Sequence, residues 1–372
     1  MNKLKEIIKS RLKAVLEVHN LKEHISKLSV QQECLQAVVS NLSKQNSALE
    51  EKLNFYENHI NSRKILSLAA YFQEELRKLD CKNTEKKYIF ITARYRTGST
   101  YLYSLFASIQ NTNSFLEPLH PHLLETEARE DKWHKQQREL LSHTISNNYF
   151  EEYKALDRSI LSLLHKKDFS TKNIIMTSED IFNELKEYLL FLISSNIEQL
   201  NVFQFNRVDF RLGWLKANFP NALILNLRRN PRDIFASYCK VSQKANLPEG
   251  SGFDCLFGDR DQINAISRRL RPQLAIQELN EYEKIYILNR LSNLWSDSLA
   301  DMIIDYEELV AAPYKILEKI TAKIAGVTLK IEDKKIIKPK NNTFGLWKEY
   351  NTDSWFKQSE LKCERLIEKI IA

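Results

Sequence analysis

Residues 1–97 contain neither glycine nor proline, because the first glycine of the chain is Gly98 and the first proline is Pro118. Glycine and proline are the residues that most often break helices and form turns. The whole chain of 372 residues has only 7 glycines and 8 prolines. Short strands need many turns, so this distribution argues against an all-β or loop-rich protein and predicts long helices at the N-terminus.

A heptad repeat runs through residues 4–60. Leucines recur at intervals of seven residues, at Leu21, Leu28, Leu35, Leu42 and Leu49. Most of the companion positions of the heptad are apolar, and Asn46 is an exception. A repeat of this length predicts a left-handed coiled coil, and asparagine at this heptad position favours a parallel dimer. We therefore predict a homodimeric coiled coil over residues 1–61, with an intramolecular helical hairpin as the alternative.

The remaining chain divides into a helical connector over residues 62–86 and a globular domain over residues 87–372. No segment approaches the ~18 consecutive apolar residues of a membrane span, and the N-terminus lacks the apolar core of a secretory signal. The five cysteines are scattered and show no metal-ligand spacing, which fits a reducing compartment. The net charge of +7 favours an anionic ligand or a membrane surface over nucleic acid as a partner.

A phosphate-binding loop is predicted near the start of the globular domain. Tyr88–Ala93 has the composition of a buried strand, residues 94–100 read R-Y-R-T-G-S-T, and residues 101–109 have a helical pattern. This strand, glycine turn and helix present backbone N–H groups and a positive helix end to a phosphate. The loop lacks the G-x-x-x-x-G-K-[ST] spacing of an ATP-binding loop.

The residue types within this loop suit an anion. Gly98 allows the backbone to approach the anion closely, while Ser99 and Thr100 supply hydroxyl groups. Arg96 supplies a guanidinium where negative charge builds up during group transfer.

A second anion site is predicted downstream. Ala222–Leu227 reads as another buried strand, and Pro231 suits the first turn of the helix that follows. Asp233 in that first turn interacts favourably with the helix dipole. Arg229 ends the strand and Ser237 lies two turns into the helix, so both side chains are placed to face one phosphate.

Together these motifs resemble those of sulfotransferases that use 3′-phosphoadenosine-5′-phosphosulfate (PAPS), in particular bacterial and carbohydrate-type members. Residues 94–100 are similar to their 5′-phosphosulfate loop, and Arg229 with Ser237 resembles their 3′-phosphate motif. Phe205–Pro220 resembles the helix before the 3′-phosphate strand, and Ile304–Leu309 resembles a late Tyr-Glu-Asp-Leu element. The resemblance covers residues 88–372.

The resemblance implies an α/β fold with a P-loop-like parallel sheet flanked by helices, and a crevice at the carboxyl ends of the strands. It implies PAPS as the donor, PAP as the product nucleotide and no metal. Arg96 is implied to stabilise the transferring sulfuryl group, and Arg229 and Ser237 to hold the 3′-phosphate. The residues implied to hold the 5′-phosphosulfate are Arg94, Thr97, Gly98, Ser99, Thr100 and Tyr101.

The general base is a separate question. Glu117 and Pro118 resemble the Glu-Pro element of carbohydrate-type and tyrosylprotein-type sulfotransferases, in which a glutamate acts as base. Burial beside apolar neighbours would raise the pKa of Glu117 toward a useful value. His120 and His122 are the alternatives, because some members of the family use histidine.

The sequence thus predicts sulfuryl transfer to a hydroxyl acceptor, a sugar of a cell-surface glycan or glycolipid, by in-line displacement. It predicts a cytoplasmic bacterial enzyme, with peripheral association at the inner membrane left open. The alternatives are a nucleotide or sugar kinase and a coiled-coil tethering protein with a degenerate nucleotide-binding domain.

Three further features are weaker candidates. Arg207 and Arg211 are predicted on one helix face, bordering the nucleotide or an acidic acceptor. Residues 243–272 are predicted to form an insertion or lid. The segment around Trp347 is similar to a late loop that closes over the nucleotide, with a core position for Trp347 as the alternative.

Overall fold

The computed structural model describes residues 85–124, 149–196, 198–270, 278–324 and 344–371. The predicted coiled coil over residues 1–61 and the predicted connector up to residue 84 lie outside the described residues.

Five parallel strands form one sheet in the order β2-β3-β1-β4-β5. The strands are β1 (Tyr88–Ala93), β2 (Thr112–Leu116), β3 (Leu200–Phe205), β4 (Ala222–Arg228) and β5 (Met302–Asp305). The central strand β1 pairs with β3 on one side and β4 on the other, with Ile89 opposite both Val202 and Leu223. The predicted parallel α/β sheet is therefore confirmed, and both strands predicted from the sequence are present.

Helices join and cover these strands. They are α1 (Ser99–Ala107), α2 (Arg158–Leu164), α3 (Asn183–Ser194), α4 (Leu212–Asn218), α5 (Pro231–Lys244), α6 (Gly252–Cys255), α7 (Asp259–Leu270), α8 (Glu281–Leu299), α9 (Tyr306–Ala311), α10 (Pro313–Thr321) and α11 (Asp353–Ile371). Short 3₁₀ segments cover Glu151–Ala155, Lys167–Ser170, Asp209–Arg211 and Leu346–Glu349. Within the described residues, every helix is too short or too polar to span a bilayer.

Both faces of the sheet are buried, which is why its strands are mainly apolar rather than alternating. On one face, Phe90 packs edge-to-face against Phe203 and Phe205, at ring-centroid distances of 5.5 and 5.4 Å. On the other face, Ile89 and Ile91 belong to a second, smaller core cluster that includes α1 and α10. Packing on both faces holds the strands in place. The candidate site lies in the crevice at the carboxyl ends of these strands.

The sequence interpretation of Phe205–Pro220 as one helix is wrong. Phe205 ends β3, a 3₁₀ turn follows at Asp209–Arg211, and the helix covers only Leu212–Asn218. The polar residues of β3 interrupt its apolar run and hide it in the sequence, yet it is buried between β1 and β2. Residues 206–208 are consequently a loop at the carboxyl end of a strand, which is a position for functional side chains.

Candidate active site at the carboxyl ends of the strands

The loop between β1 and α1 has an unusual backbone. Arg96 and Gly98 both have positive φ angles, of 65° and 95°. Gly98 precedes the first residue of α1, and a Cβ atom there would overlap the ring of Tyr306 from α9. Glycine is therefore required at this turn both for its backbone conformation and for space.

The side chains of this loop are mostly engaged within the protein. The Thr97 hydroxyl donates to the backbone oxygen of Arg94 at 2.7 Å, and the Ser99 hydroxyl donates to Asn206 Oδ1 at 3.2 Å. Tyr101 is buried and its ring meets Tyr306 edge-to-face. What this loop offers an anion is therefore chiefly the first N–H groups of α1, which have no partners within the helix.

Three of the predicted residues converge on one point. Arg96 Nε donates a hydrogen bond to Ser237 Oγ at 2.8 Å, and Arg229 Nη1 donates to the backbone oxygen of Arg96 at 2.9 Å. The Arg229 guanidinium also lies 4.9 Å from the ring centroid of Tyr306. The end of β4, the helix α5 and the loop after β1 are thereby joined through Arg96 and Arg229.

This cluster concentrates positive charge. Burial, together with the neighbouring Arg229, lowers the pKa of Arg96 to about 10. Burial is also the main cause that lowers the pKa of Arg229. Among the described residues, no carboxylate forms a salt bridge with Arg96. The half-buried Arg96 and the buried Arg229 place two guanidinium groups side by side, so the donor set fits a ligand that carries phosphate and sulfate groups.

Arg94 is placed differently from the other loop residues. Its guanidinium is buried, with 3% of the residue exposed, and it contacts Asp209 at 3.1 Å. It also bonds to Asp259 and Gln262, and the hydroxyl of Tyr238 donates to Asp259. The Arg94 side chain is thus committed to an internal network that supports the loop from behind.

The same network includes residues from the segment 243–272, which the sequence predicts to be an insertion or lid. Asp259 and Gln262 of α7 are both buried against Arg94, and the ring of Phe257 stacks on Tyr95 at 4.8 Å. The described part of this segment therefore packs against the phosphate loop as a wall of the crevice, rather than standing off it as an open lid.

Glu117 lies directly after β2, and therefore at the same carboxyl-end side of the parallel sheet as the loop after β1. Its backbone has a φ of 43°, and its N–H donates to the backbone oxygen of Gln204 at 2.9 Å. Its carboxylate accepts a hydrogen bond from Asn206 Nδ2 at 2.6 Å. Burial raises the pKa of Glu117 to about 7, against the opposing effects of Arg207 and of the Asn206 hydrogen bond. A carboxylate with this pKa suits proton transfer near neutral pH.

A cavity of about 20 Å³ lies beside this carboxylate. Its lining includes Tyr95, Glu117, His120, Phe205, Asn206 and Arg207. His120 therefore shares the cavity with Glu117, whereas His122 is exposed and is not among the lining residues.

The two arginines predicted on one helix face have separate roles. Arg207 borders the cavity and donates to the Tyr95 hydroxyl at 2.8 Å and to the Phe257 backbone oxygen. Arg211 is fully buried and donates to backbone oxygens of residues 172 and 173. They do not share a helix face, because residue 207 precedes the 3₁₀ turn.

Comparison with known proteins assigns the family. The model of the sulfotransferase family matches residues 88–328, which is more than half of the chain. The chain belongs to the sulfotransferase family. The resemblance of the sequence motifs to sulfotransferases is therefore confirmed, and a hydroxyl acceptor follows from the family. Sulfotransferases generally take the sulfuryl group from PAPS.

Solved structures of similar fold are bacterial sulfotransferases. One from Alicyclobacillus acidocaldarius is 12% identical, with a TM-score of 0.37, and the match covers 77% of this chain and 96% of the other. One from Mycobacterium tuberculosis is 16% identical, with a TM-score of 0.37 and coverage of 78% and 80%. One from Mycobacterium avium is 16% identical, with a TM-score of 0.35 and coverage of 69% and 68%. No curated protein matches this sulfotransferase.

In the described part of the sulfotransferase, no group of three or more His, Cys, Asp or Glu side chains is arranged to hold a metal ion. In the site as described above, Arg96, Arg207 and Arg229 contribute guanidinium groups.

Proposed function

We propose that this sulfotransferase transfers the sulfuryl group of PAPS to a sugar hydroxyl of a cell-surface glycan or glycolipid, with Glu117 as the general base. The observation that carries the proposal is that two features occur together at the carboxyl ends of the strands. One is a carboxyl group with a pKa of about 7, and the other is the cluster of Arg96, Ser237 and Arg229.

The donor side of the proposed site is built from two loops. Arg229 and Ser237 would hold the 3′-phosphate, and the first N–H groups of α1 would hold the 5′-phosphosulfate. Arg96, from the loop after β1, donates a hydrogen bond to Ser237 through its guanidinium group. PAPS, when bound, supplies an activated sulfuryl group. Arg96 would oppose the negative charge that develops on the leaving phosphate as this group departs.

The acceptor hydroxyl would lie beside Glu117, where the cavity of about 20 Å³ has room for a hydroxyl group and not for a whole sugar ring. The Glu117 carboxylate would accept the proton of the acceptor hydroxyl, which makes that oxygen a better nucleophile. The charge of Arg207 opposes the rise in the pKa of Glu117 to about 7, so the carboxylate stays partly ionised at neutral pH. A sugar as the acceptor is supported by the resemblance of Glu117 and Pro118 to the Glu-Pro element of carbohydrate-type members.

The proposal is tested by transfer of radiolabelled sulfate from PAPS to a panel of glycan and glycolipid acceptors. Glu117→Gln should lose most turnover while still binding PAP. Glu152→Gln is the matched control, because burial also raises the pKa of Glu152 to about 7, but its carboxylate accepts from the Leu116 N–H instead. Full activity of Glu117→Gln would move the base to a histidine.

A thermal-shift titration separates the alternatives to this proposal. A ligand that binds only the folded state raises the melting temperature, by an amount that grows with the logarithm of its concentration relative to its Kd. We expect PAP and PAPS to stabilise the protein. Stabilisation by ATP with Mg²⁺ in preference to PAP would favour a kinase, and no effect of either nucleotide would favour a degenerate domain.

A further inference from the structure

One amide group lies between the candidate base and the phosphate loop. Asn206 follows the last residue of β3 and is buried, with 7% of the residue exposed. Its Nδ2 donates to Glu117 Oε1 at 2.6 Å. Its Oδ1 accepts from Ser99 Oγ at 3.2 Å and from Gln204 Nε2 at 2.8 Å. The side chain thus contacts two separate parts of the site at once.

The chemistry of the partners fixes which way this amide points. A carboxylate only accepts hydrogen bonds, so the NH₂ end of Asn206 must face Glu117. The oxygen end then faces Ser99 and Gln204, both of which can donate. Because both ends of the amide are satisfied by partners of the correct type, the amide is held in one orientation.

Gln204 adds a second constraint at the same place. Its backbone oxygen accepts the Glu117 N–H at 2.9 Å, while its side chain donates to Asn206. Glu117 has a left-handed backbone conformation, which is unfavourable for a residue with a Cβ and is retained only where the surroundings enforce it. The backbone and the carboxylate of Glu117 are therefore both held from the end of β3.

We propose that Asn206 is a positioning residue that holds the Glu117 carboxylate at a fixed place relative to the start of α1. It does so through one amide that bonds Glu117 at one end and Ser99 at the other. The proposal rests on the assignment of Glu117 as the base. Ser99 is the first residue of α1, so the base is held relative to the N–H groups that would bind the donor.

Removing the Asn206 amide should change the titration of the Glu117 carboxyl group. Among the described residues, Asn206 is the side chain that donates a hydrogen bond to the Glu117 carboxylate. This bond favours the ionised form. Within the part of the chain that the structure describes, the other titratable or charged groups that face Glu117 are Arg207, Tyr95, Tyr149, Tyr153 and His120. These groups are unchanged in an Asn206 variant, so its effect on titration isolates the amide.

The test is a titration of the Glu117 carboxyl by ¹³C NMR in protein labelled at glutamate, with Glu117→Gln to assign the signal. Loss of one charge-assisted hydrogen bond corresponds to an upward shift of about one pH unit in Asn206→Ala. Asn206→Asp keeps the volume of the side chain but places a second carboxylate against Glu117. It should raise the midpoint further, because like charges disfavour double ionisation.

The matched control is Asn201→Ala. Asn201 lies on the same strand, is also buried, and its Nδ2 donates to the backbone oxygens of Ile193 and Asn196. Its removal should destabilise β3 without shifting the Glu117 midpoint. A Glu117 midpoint that does not move in either Asn206 variant overturns the proposal. So does an equal shift in Asn201→Ala. Asn206→Asp preserves the test if Asn206→Ala does not fold.

This titration needs neither donor nor acceptor, so its outcome is independent of whether the protein transfers sulfate. With PAPS and an acceptor, turnover at the alkaline plateau should fall by about tenfold or more in Asn206→Ala, while the KM for PAPS changes less. Plateau turnover equal to that of the unmodified protein would overturn the positioning role. Absence of transfer in the unmodified protein would instead overturn the proposed function.

Discussion

Replacing Gly98 by alanine tests the shape of the phosphate loop. Gly98 has a φ of 95° and sits against the ring of Tyr306, whose Cζ would lie 3.2 Å from the new Cβ, with two nearer ring carbons overlapping it. Tyr306 also lies under the Arg229 guanidinium. The added methyl group must therefore displace the ring that packs against Arg229, a proposed nucleotide-binding residue.

The expected loss of stability has two parts. A left-handed backbone costs a residue with a Cβ roughly 1–2 kcal/mol. Forcing an extra methyl group into a packed site costs about 1–3 kcal/mol more. Gly98→Ala should thus lower the free energy of unfolding by about 2–5 kcal/mol. Gly250→Ala is the control, because Gly250 has a φ of 75° but nothing lies within 4 Å of its Cβ position. It should lose only the backbone part.

Urea denaturation measures both variants, and the double variant Gly98→Ala with Tyr306→Ala isolates the contact. Removing the ring should make the Gly98→Ala substitution cost no more than the Gly250→Ala substitution. PAP affinity should fall in Gly98→Ala and remain unchanged in Gly250→Ala. If Gly98→Ala destabilises the protein no more than Gly250→Ala does, the packing of Tyr306 against the loop is refuted.

Further predictions concern the charged groups. Arg96→Ala should lower kcat by about 100-fold or more with a smaller effect on PAP affinity, because its charge is needed most in the transition state. Equal losses in kcat and in PAP affinity would contradict this prediction. The base must be deprotonated and its pKa in the free protein is raised to about 7, so kcat/KM for the acceptor should rise with pH through about 7 and then level off. The folded state also binds more protons at Glu117 between about pH 4.5 and 7, so its stability contribution falls as the pH rises through that window, and Glu117→Gln should remove this slope from urea denaturation. Arg94→Met should lower the free energy of unfolding by about 3–5 kcal/mol, since it removes the cation that forms salt bridges with the buried Asp209 and Asp259, and adding Asp259→Asn should restore part of the loss.

The secondary-structure elements around the candidate site follow from local sequence, and the structure confirms them. The strand Tyr88–Ala93 and the turn at Gly98 follow from residues within a dozen positions of each other. The helix after Arg229 begins at Pro231, and Asn230 caps it by accepting from the Arg232 N–H. Short-range patterns of this kind need no knowledge of the rest of the chain, so the sequence sufficed.

The errors arise where distant residues decide. Arg94 belongs to the phosphate-loop motif, but Asp259 lies 165 residues further along the chain and turns the guanidinium inward. The sequence pattern predicts Asn206 in a helix, whereas pairing of β3 with strands on both sides makes it the first residue after a strand. An approaching anion is one reason for glycine at position 98, and the ring of Tyr306 is a second reason that local sequence does not indicate. No local pattern reports such contacts.

The central claim is that Arg229, Ser237 and the loop after β1 form a site for a nucleotide with a 3′-phosphate. The most direct test is isothermal titration calorimetry with PAP and with AMP, which differs from PAP only in lacking that phosphate. The control for Arg229→Ala is Arg228→Ala, which removes the same charge next to the site but pairs with Asp297 instead. We predict that PAP binds more tightly than AMP, that Arg229→Ala weakens PAP by about 10-fold to 100-fold, and that Arg228→Ala does not. Equal affinity for PAP and AMP, or PAP binding unchanged in Arg229→Ala, would contradict the account.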